Sequence, residues 1–225
     1  MLNFSCTMAA RASLAILIAA AVTGLGSAHA QPSKDLANCV NQEKISSADL
    51  RISACTAVIE ARRETKRDLA IAFNNRGNAY ADRKHYGRAI ADYDEAIRLN
   101  PKYATAFDDR CEAHAKLGQL PEALADCNAS MHFDPNDEDT LKNRGFTYLR
   151  LGQLDNAITD YSAVLKINSK NSEALYGRGL IKLKKGDATG GNRDIAAAKA
   201  IAPDVAEEFA RYGVIAEDHA SYSVK

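Results

Sequence analysis

The chain has 225 residues, of which 46% are hydrophobic and 26% are charged, with 29 basic and 29 acidic residues. This composition is typical of a globular protein and excludes a disordered or fibrous chain. The formal net charge of zero leaves no basic surplus to neutralise phosphates, which argues against electrostatic binding of nucleic acid or acidic lipid. The five cysteines are an odd number, and their spacing includes no metal-binding CxxC motif.

Residues 1–30 have the three-part pattern of a secretory signal peptide. They contain no acidic residue and one basic residue, Arg11, followed by the mostly apolar run 13–22 and an Ala-His-Ala site that ends at Ala30. The apolar run is shorter than a membrane-spanning helix requires. We predict cleavage before Gln31, export to the periplasm or the medium, and no membrane span in the mature chain. An uncleaved anchor or a buried helix is the alternative.

Cleavage at this site changes the cysteine count and the charge. It would leave 195 residues, of which 28 are basic and 29 acidic, for a net charge of −1. Cys6 leaves with the signal peptide, so four cysteines remain. An even number of cysteines in an exported chain favours disulfide bonds.

A period of 34 residues organises most of the mature sequence. Within each period, apolar residues recur at helical spacing, the pattern breaks near the middle, and a Pro or Ser precedes the next helix. Each block therefore predicts two antiparallel helices joined by a tight turn. The residues that mark the period are Arg76, Arg110, Arg144 and Arg178, with Pro101, Pro135 and Pro203 on the same grid.

The blocks share a pattern of small and aromatic residues at fixed positions. In the first block these are Phe73 at position 4, Gly77 at 8, Tyr80 at 11, Ala89 at 20 and Tyr93 at 24. This pattern resembles the tetratricopeptide repeat (TPR), although arginine replaces the usual leucine at position 7 and the fourth copy is the most eroded. The resemblance implies an all-α fold, a right-handed α-solenoid of antiparallel helix pairs, with four repeats at 70–103, 104–137, 138–171 and 172–203.

Both ends of the repeat array follow the same frame incompletely. Residues 32–63 predict a degenerate helical hairpin, because Ile52–Ile59 matches the second helix of repeat one. Four extra residues then separate this hairpin from repeat one. At the other end, residues 204–213 predict a capping helix over the apolar face of repeat four, as stacked repeats require. Residues 214–225 predict a flexible tail.

The register places two pairs of cysteines opposite each other. If the helices of a hairpin span positions 1–14 and 18–31, position 8 lies level with position 24. Repeats one and three have glycine opposite tyrosine there, whereas the first hairpin and repeat two have cysteine opposite cysteine. Any other pairing would join cysteines of hairpins about two repeats apart. Their Cα atoms would then be farther apart than the roughly 7 Å that a disulfide allows. We predict the bridges Cys39–Cys55 and Cys111–Cys127; paired free thiols are the alternative.

Arginine at position 7 and aspartate at position 23 recur together in all four repeats, sixteen residues apart. This recurrence predicts a structural ion pair between the two helices or to the next repeat. The alternative is that the arginines line a ligand-binding surface, but a ligand site seldom repeats identically in every copy. The predicted pairs are Arg76–Asp92, Arg110–Asp126, Arg144–Asp160 and Arg178–Asp194.

The sequence contains no recognisable catalytic motif. A metalloprotease helix, a phosphate-binding loop, a dinucleotide fingerprint and a nucleophile signature are all missing. His114 stands where sibling repeats carry tyrosine, which favours a packed side chain over a catalytic one. We therefore expect no enzymatic activity, no cofactor and no metal ion.

Resemblance to TPR proteins implies a non-catalytic scaffold or adaptor that binds a protein or an extended peptide. In that family the first helices line a concave groove, and positions 2, 5, 9, 12 and 13 usually face the ligand. The alternatives are an accessory subunit of a cell-envelope or enzyme assembly that docks through another surface, a self-associating structural protein, and plain solvated surface charge at these positions. Carried over by register, the candidate groove residues are Asn74, Asn78, Asp82, Asp108, Glu112, Lys116, Lys142, Phe146, Arg150, Tyr176 and Lys184.

One specialised TPR groove, the carboxylate clamp, is not matched. The clamp holds the C-terminal carboxylate of a peptide with lysine, asparagine and arginine side chains at fixed positions. Of the corresponding residues here, only Asn78 fits, and the acids Asp109 and Asp139 would repel a carboxylate. We therefore expect no clamp in this register.

Overall fold

The computed structural model describes residues 38–39 and 47–215. This part of the chain contains ten α-helices and no strand, so the predicted all-α solenoid is confirmed. The predicted signal peptide, most of residues 32–46 and the end of the predicted tail lie outside the described residues. The helices are α1 (Ala48–Ala61), α2 (Lys66–Asp82), α3 (Tyr86–Leu99), α4 (Ala104–Leu117), α5 (Leu120–Phe133), α6 (Glu138–Arg150), α7 (Leu154–Ile167), α8 (Ser172–Lys184), α9 (Ala188–Ile201) and α10 (Val205–Arg211).

Tight turns join the two helices of each repeat. Gly118, Gly152 and Gly186 have φ of 81°, 73° and 87° at the same place in repeats two, three and four. Glycine adopts this left-handed conformation without steric cost, and it ends the preceding helix. In repeat one the equivalent residue is Lys84, which has a φ of 59°. The turn geometry is therefore kept even where the sequence lacks glycine.

Side-chain caps set where several first helices begin. Thr65 accepts a hydrogen bond from the backbone N–H of Asp68 at 3.1 Å, which caps α2. Because α2 starts at Lys66, the four extra residues ahead of repeat one lengthen its first helix instead of separating it from α1. Asp137 and Asn171 cap α6 and α8 in the same way.

Small residues let the two helices of a hairpin approach closely. A Cβ atom added to Gly77 would lie 2.5 Å from Cε1 of Tyr93, and one added to Gly145 would lie 3.1 Å from Cε1 of Tyr161. Both tyrosines are completely buried, so their rings have little room to move. Glycine opposite tyrosine thus fixes the spacing between helices in repeats one and three.

The largest apolar cluster lies at the C-terminal end of the array. Leu141, Tyr161 and Ile181 contribute to it, and Val205 and Phe209 bring α10 into it. The first helices of neighbouring repeats also contact one another, which makes them the inner, concave layer of the stack. Among the residues described, none of the helices combines the length and apolar character of a membrane span.

Candidate functional site

In each of the four repeats, a bidentate arginine–aspartate ion pair joins the two helices. Nε and Nη2 of Arg144 donate to the two carboxylate oxygens of Asp160 at 2.8 and 2.9 Å. Such bidentate pairs are strong and geometrically specific. The carboxylates are buried, whereas the arginines are partly exposed. We call the four pairs the Arg–Asp spine: Arg76–Asp92, Arg110–Asp126, Arg144–Asp160 and Arg178–Asp194.

The spine also links neighbouring hairpins. Nη1 of Arg76 donates to Thr56 Oγ1 at 3.2 Å, and Nη1 of Arg144 donates to Asn128 Oδ1 at 3.1 Å. Arg110 makes the equivalent contact with an aspartate of repeat one. These acceptors all occupy position 25 of the preceding hairpin. The arginines therefore hold the two helices of a repeat together and also connect each of these repeats to the hairpin before it.

The fourth repeat strengthens its pair with a second cation. Nζ of Lys182 donates to Asp194 at 2.8 Å, beside Arg178. Burial acts to raise the pKa of Asp194, but hydrogen bonds from Arg178 and Lys182 hold it below its ordinary value. Lys182 replaces the usual tyrosine at position 11, and this contact is the structural role of that replacement.

The four cysteines among the described residues lie in two pairs at disulfide distance. The sulfur atoms of Cys39 and Cys55 are 2.12 Å apart, and those of Cys111 and Cys127 are 2.01 Å apart. All four residues are completely buried. The pairs occupy the level at which repeats one and three place glycine against tyrosine.

Asparagine and aspartate side chains form the floor of the concave face. Nδ2 of Asn74 donates to Asp109 at 2.8 Å, and Nδ2 of Asn143 donates to Asp108 at 3.0 Å. Asn74 and Asp108 are only 2% and 7% exposed, so they pack between first helices instead of facing solvent. Asn78 accepts a hydrogen bond from the hydroxyl of Tyr93 at 2.7 Å. These three groove candidates therefore act mainly between helices of the array.

Charged candidates pair along the middle of the same face. Nζ of Lys116 lies 2.5 Å from a carboxylate oxygen of Glu112. Nζ of Lys142 lies 2.9 Å from Asp139 and 3.8 Å from Glu173. The face therefore carries two lysines and at least three carboxylates, and these opposite charges partly neutralise one another.

The remaining charged candidates lie at the margins of the face. Asp82 accepts from Arg51 of α1, which ties repeat one to the first hairpin. Arg150 donates to the backbone carbonyl of Ala115 in the preceding repeat. Lys184 is exposed at the end of α8. Within the described ranges, no group of three or more His, Cys, Asp or Glu side chains is arranged to hold a metal ion.

The aromatic candidates contact the chain's own C-terminal helix. The ring of Phe209 packs edge-on against Phe146 and Tyr176, with centroids 5.4 and 5.0 Å away. Tyr212 packs against Phe146 at 6.0 Å, and its hydroxyl lies 3.2 Å from that of Tyr86 in repeat one. Helix α10 therefore caps repeat four and also reaches across the concave face. The sequence frame predicts the cap but gives no sign of this crossing.

A narrow space remains beside α10. A cavity of about 50 Å³ is lined by Glu112, Lys116 and Phe146 on the repeats, and by Phe209 and Tyr212 on the C-terminal segment. This volume holds only a few water molecules. A second space, of about 210 Å³, shares Glu112, Lys116 and Tyr212 as lining residues and extends to Tyr86 and Asp109. Phe209 and Tyr212 therefore occupy part of the concave face and leave an open space on the side of repeat one.

Asp108 is buried and its neighbour Asp109 is half-buried in the floor of the concave face. Burial raises the pKa of Asp108 and of Asp109 to about 7, although hydrogen bonds from Asn143 and Asn74 favour the ionised forms. Asp137 and Asp139 lie nearby and act in the same direction as burial. The floor of the concave face therefore changes charge across the neutral range.

The stacked hairpins and their repeated contacts define the protein as an α-solenoid of helical repeats. The family model described as tetratricopeptide repeat matches residues 70–103, and a second, described as TPR repeat, matches residues 148–186. The chain therefore belongs to the tetratricopeptide repeat family. Comparison with curated protein sequences finds no match.

Solved structures with the same fold share little sequence with this chain. MamA (residues 41 to the end) from Desulfovibrio magneticus RS-1 has a TM-score of 0.62 at 15% identity, over 76% of this chain and 97% of that one. YrrB, described as a TPR protein with an unusual peptide-binding site, has a TM-score of 0.58 at 19% identity, over 76% of this chain and 86% of that one. The first TPR of Spaghetti (RPAP3), bound to the HSP90 peptide SRMEEVD, has a TM-score of 0.52 at 24% identity, over 55% and 96%.

The spine pairs are expected to be energetically coupled. In a double-mutant cycle, Arg144→Ala and Asp160→Ala should show a coupling free energy of about 1–3 kcal/mol, because either single change leaves a partly buried charge without its partner. Urea unfolding followed by circular dichroism measures each free energy of unfolding. The exposed pair Arg98–Glu95 is the control and should show no measurable coupling, since solvent screens it. Additive effects of Arg144→Ala and Asp160→Ala would contradict a structural ion pair.

The raised pKa values of Asp108 and Asp109 are expected to lower the free energy of unfolding as the pH rises from about 4 to about 7. A carboxyl group whose pKa is about 7 when folded, against about 3.9 when unfolded, binds its proton more tightly in the folded state. Its stabilising effect is fully present below about pH 3.9 and is lost as the pH rises from about 4 to about 7. Asp109→Asn should reduce the fall in the free energy of unfolding between about pH 4 and 7. The exposed Asp155→Asn is the control, and an unchanged pH dependence in Asp109→Asn would contradict this assignment.

Proposed function

We propose that the mature chain is a non-catalytic scaffold that binds a segment of another protein on its concave face. One observation carries this proposal: the face already holds a helix that belongs to no complete repeat. The side chains of Phe209 and Tyr212 insert between Phe146, Tyr176 and Tyr86 as the anchors of a bound helix would. An amphipathic helix in an apolar groove is a common mode of peptide recognition.

The charges around this groove indicate what kind of segment it accepts. Lys116, Glu112 and Glu173 line the same cavity as Phe146, and Lys142 lies 3.8 Å from Glu173. This arrangement suits a helix with an apolar face and a polar edge more than a free C-terminal carboxylate. The missing carboxylate clamp and the acids at its places support the same conclusion. The peptide-binding TPR structures to which this fold is similar support peptide binding in general terms.

We also propose that the chain is exported to the periplasm or secreted. The signal-like sequence of residues 1–30 supports export, and so do the two cysteine pairs at disulfide distance. Each bridge would close a loop of sixteen residues and stabilise its hairpin by about 3 kcal/mol in the chain-entropy model.

The redox state of the cysteines tests this part of the proposal. Protein purified from cells should begin at Gln31, and alkylation without reductant should label none of its four cysteines. Alkylation after reduction should label all four, as measured by intact mass. Retention of residues 1–30, or four thiols labelled without reductant, would contradict export.

An accessory subunit that docks through another surface is the second candidate. Phe133, Ile167 and Ile201 are 38%, 53% and 48% exposed, and each stands at position 30, near the end of the second helix of its repeat. Together they form an exposed apolar row along one edge of the stack, the kind of surface that often marks protein contacts.

Site-specific photocrosslinking in intact cells separates the two candidates. A crosslinking amino acid at Lys142 reports on the groove, and one at Lys166 lies next to the apolar row on the second helix of the same repeat. We expect a covalent adduct with a discrete protein from position 142 and a marked loss of that adduct in Phe146→Ala, because the anchor pocket is removed. An adduct from position 166 alone would contradict groove binding and favour the accessory subunit.

A further inference from the structure

Helix α10 stands outside the Arg–Asp spine. On the 34-residue grid, Ala206, Phe209 and Tyr212 occupy positions 1, 4 and 7 of an incomplete fifth block. Position 7 carries the spine arginine in all four repeats, whereas here it carries Tyr212. Within the described residues, the spine therefore ends at Arg178–Asp194.

The contacts that hold α10 on the groove are side-chain contacts that another helix can replace. Phe209 packs edge-on against two rings, and Tyr212 contacts Phe146, Tyr86 and the ammonium group of Lys116. The helix has seven residues, too few to be stable without such contacts. Segments with few stabilising contacts open locally, at a lower free energy than global unfolding.

Helix α10 places one acidic side chain among the charged groups of the groove. Glu208 lines the same small cavity as Glu112 and Glu173. Burial raises the pKa of Glu173, and the carboxylates of Glu208 and Glu112 add to this effect against the opposing charges of Lys142 and Lys116. A basic side chain in the place of Glu208 would face two carboxylates and complement them.

We propose that residues 205–215, which we call the C-terminal plug, occupy the groove reversibly. The partner that replaces the plug is a helix with two aromatic residues three positions apart and a basic residue at the position of Glu208. This inference rests on the proposed function of the concave face. Residues three apart lie on one face of a helix, so such a partner reproduces the contacts of Phe209 and Tyr212. It binds only the open fraction of molecules, and the plug therefore lowers its apparent affinity.

Native-state hydrogen exchange of the unmodified protein tests whether the plug opens. The amides of Phe209–Tyr212 should exchange at least about 100-fold faster than those of the buried centres of α8 and α9, because the plug opens without unfolding the repeats. Equal protection of α10 and α9 would overturn the proposal. This measurement needs no partner, so its outcome is independent of the crosslinking test of groove binding.

A peptide supplied in trans tests the chemistry of the partner. The probe is a fluorescent peptide of residues 203–215 carrying Glu208→Lys, and fluorescence anisotropy measures its affinity. It should bind the chain with Phe209→Ala and Tyr212→Ala at least about tenfold more tightly than the wild type, because that chain's plug no longer competes. It should also bind this variant more tightly than the peptide with the natural sequence does.

Matched controls make each result decisive. A chain with Glu207→Ala, an exposed change on the same helix, should bind the probe as the wild type does, and a probe that also carries Phe209→Ala and Tyr212→Ala should not bind. Equal affinity of the probe for wild type and plug variant, or no binding to either, would overturn the proposal. If the plug variant loses its helical circular dichroism, hydrogen exchange of the wild type decides. If position 142 gives a crosslink but the amides of α10 are as protected as those of α9, the proposed function stands and this inference is refuted.

Discussion

The paired hydrogen bonds between the arginine at position 7 and the aspartate at position 23 hold this structure together. Each pair joins the two helices of a repeat, and the third guanidinium nitrogen of three of the arginines reaches the hairpin before. The guanidinium carbons of Arg76 and Arg110 also lie over the aromatic residue at position 4, at 5.5 and 5.6 Å from the ring centroids of Phe73 and Phe107. Leucine, which is usual at position 7 in the family, can bury apolar area there but has no group that donates a hydrogen bond. Arginine at this position instead forms hydrogen bonds to the second helix and to the preceding hairpin.

The two ends of the array compensate differently for the missing pair. The first hairpin has Asn38 and Ala54 at positions 7 and 23, and there Cys39 and Cys55 lie at disulfide distance one residue further along each helix. The N-terminal end thus places two cysteines at disulfide distance where the repeats have an ion pair. Helix α10 has neither, because Tyr212 stands at position 7. Apolar and aromatic contacts therefore hold the C-terminal helix against the array, on the face that we assign to the ligand.

Much of this architecture follows from short-range sequence patterns. The 34-residue period predicts paired helices, and the sixteen-residue spacing brings together the same residues that the structure joins, such as Arg144 and Asp160. Both features depend on contacts inside one hairpin, where the register alone fixes which residues face each other. The start of α2 at Lys66 was not predicted, because the cap by Thr65 interrupts the repeat frame.

Contacts between distant repeats could not be predicted in the same way. Tyr86 and Tyr212 are 126 residues apart, and their contact depends on the curvature accumulated over four repeats. The same is true of Tyr176, which the register assigns to the groove and the structure places beneath Phe209, at 3% exposed. Asn74 and Asp108 also turn inward, because the first helices approach closely enough for their side chains to pair. The register identifies the concave face, and the curvature determines which of its residues a ligand can reach.

The most direct test of this account is whether Phe209 lies in the groove of the free protein in solution. Nuclear Overhauser spectroscopy on a sample with labelled aromatic residues measures the distances between ring protons. With ring centroids 5.0 and 5.4 Å apart, cross-peaks should link Phe209 to both Tyr176 and Phe146. Cross-peaks from Phe209 to α9 alone, with none to Phe146 or Tyr176, would contradict the account, because the groove would then be empty and α10 would be only a cap.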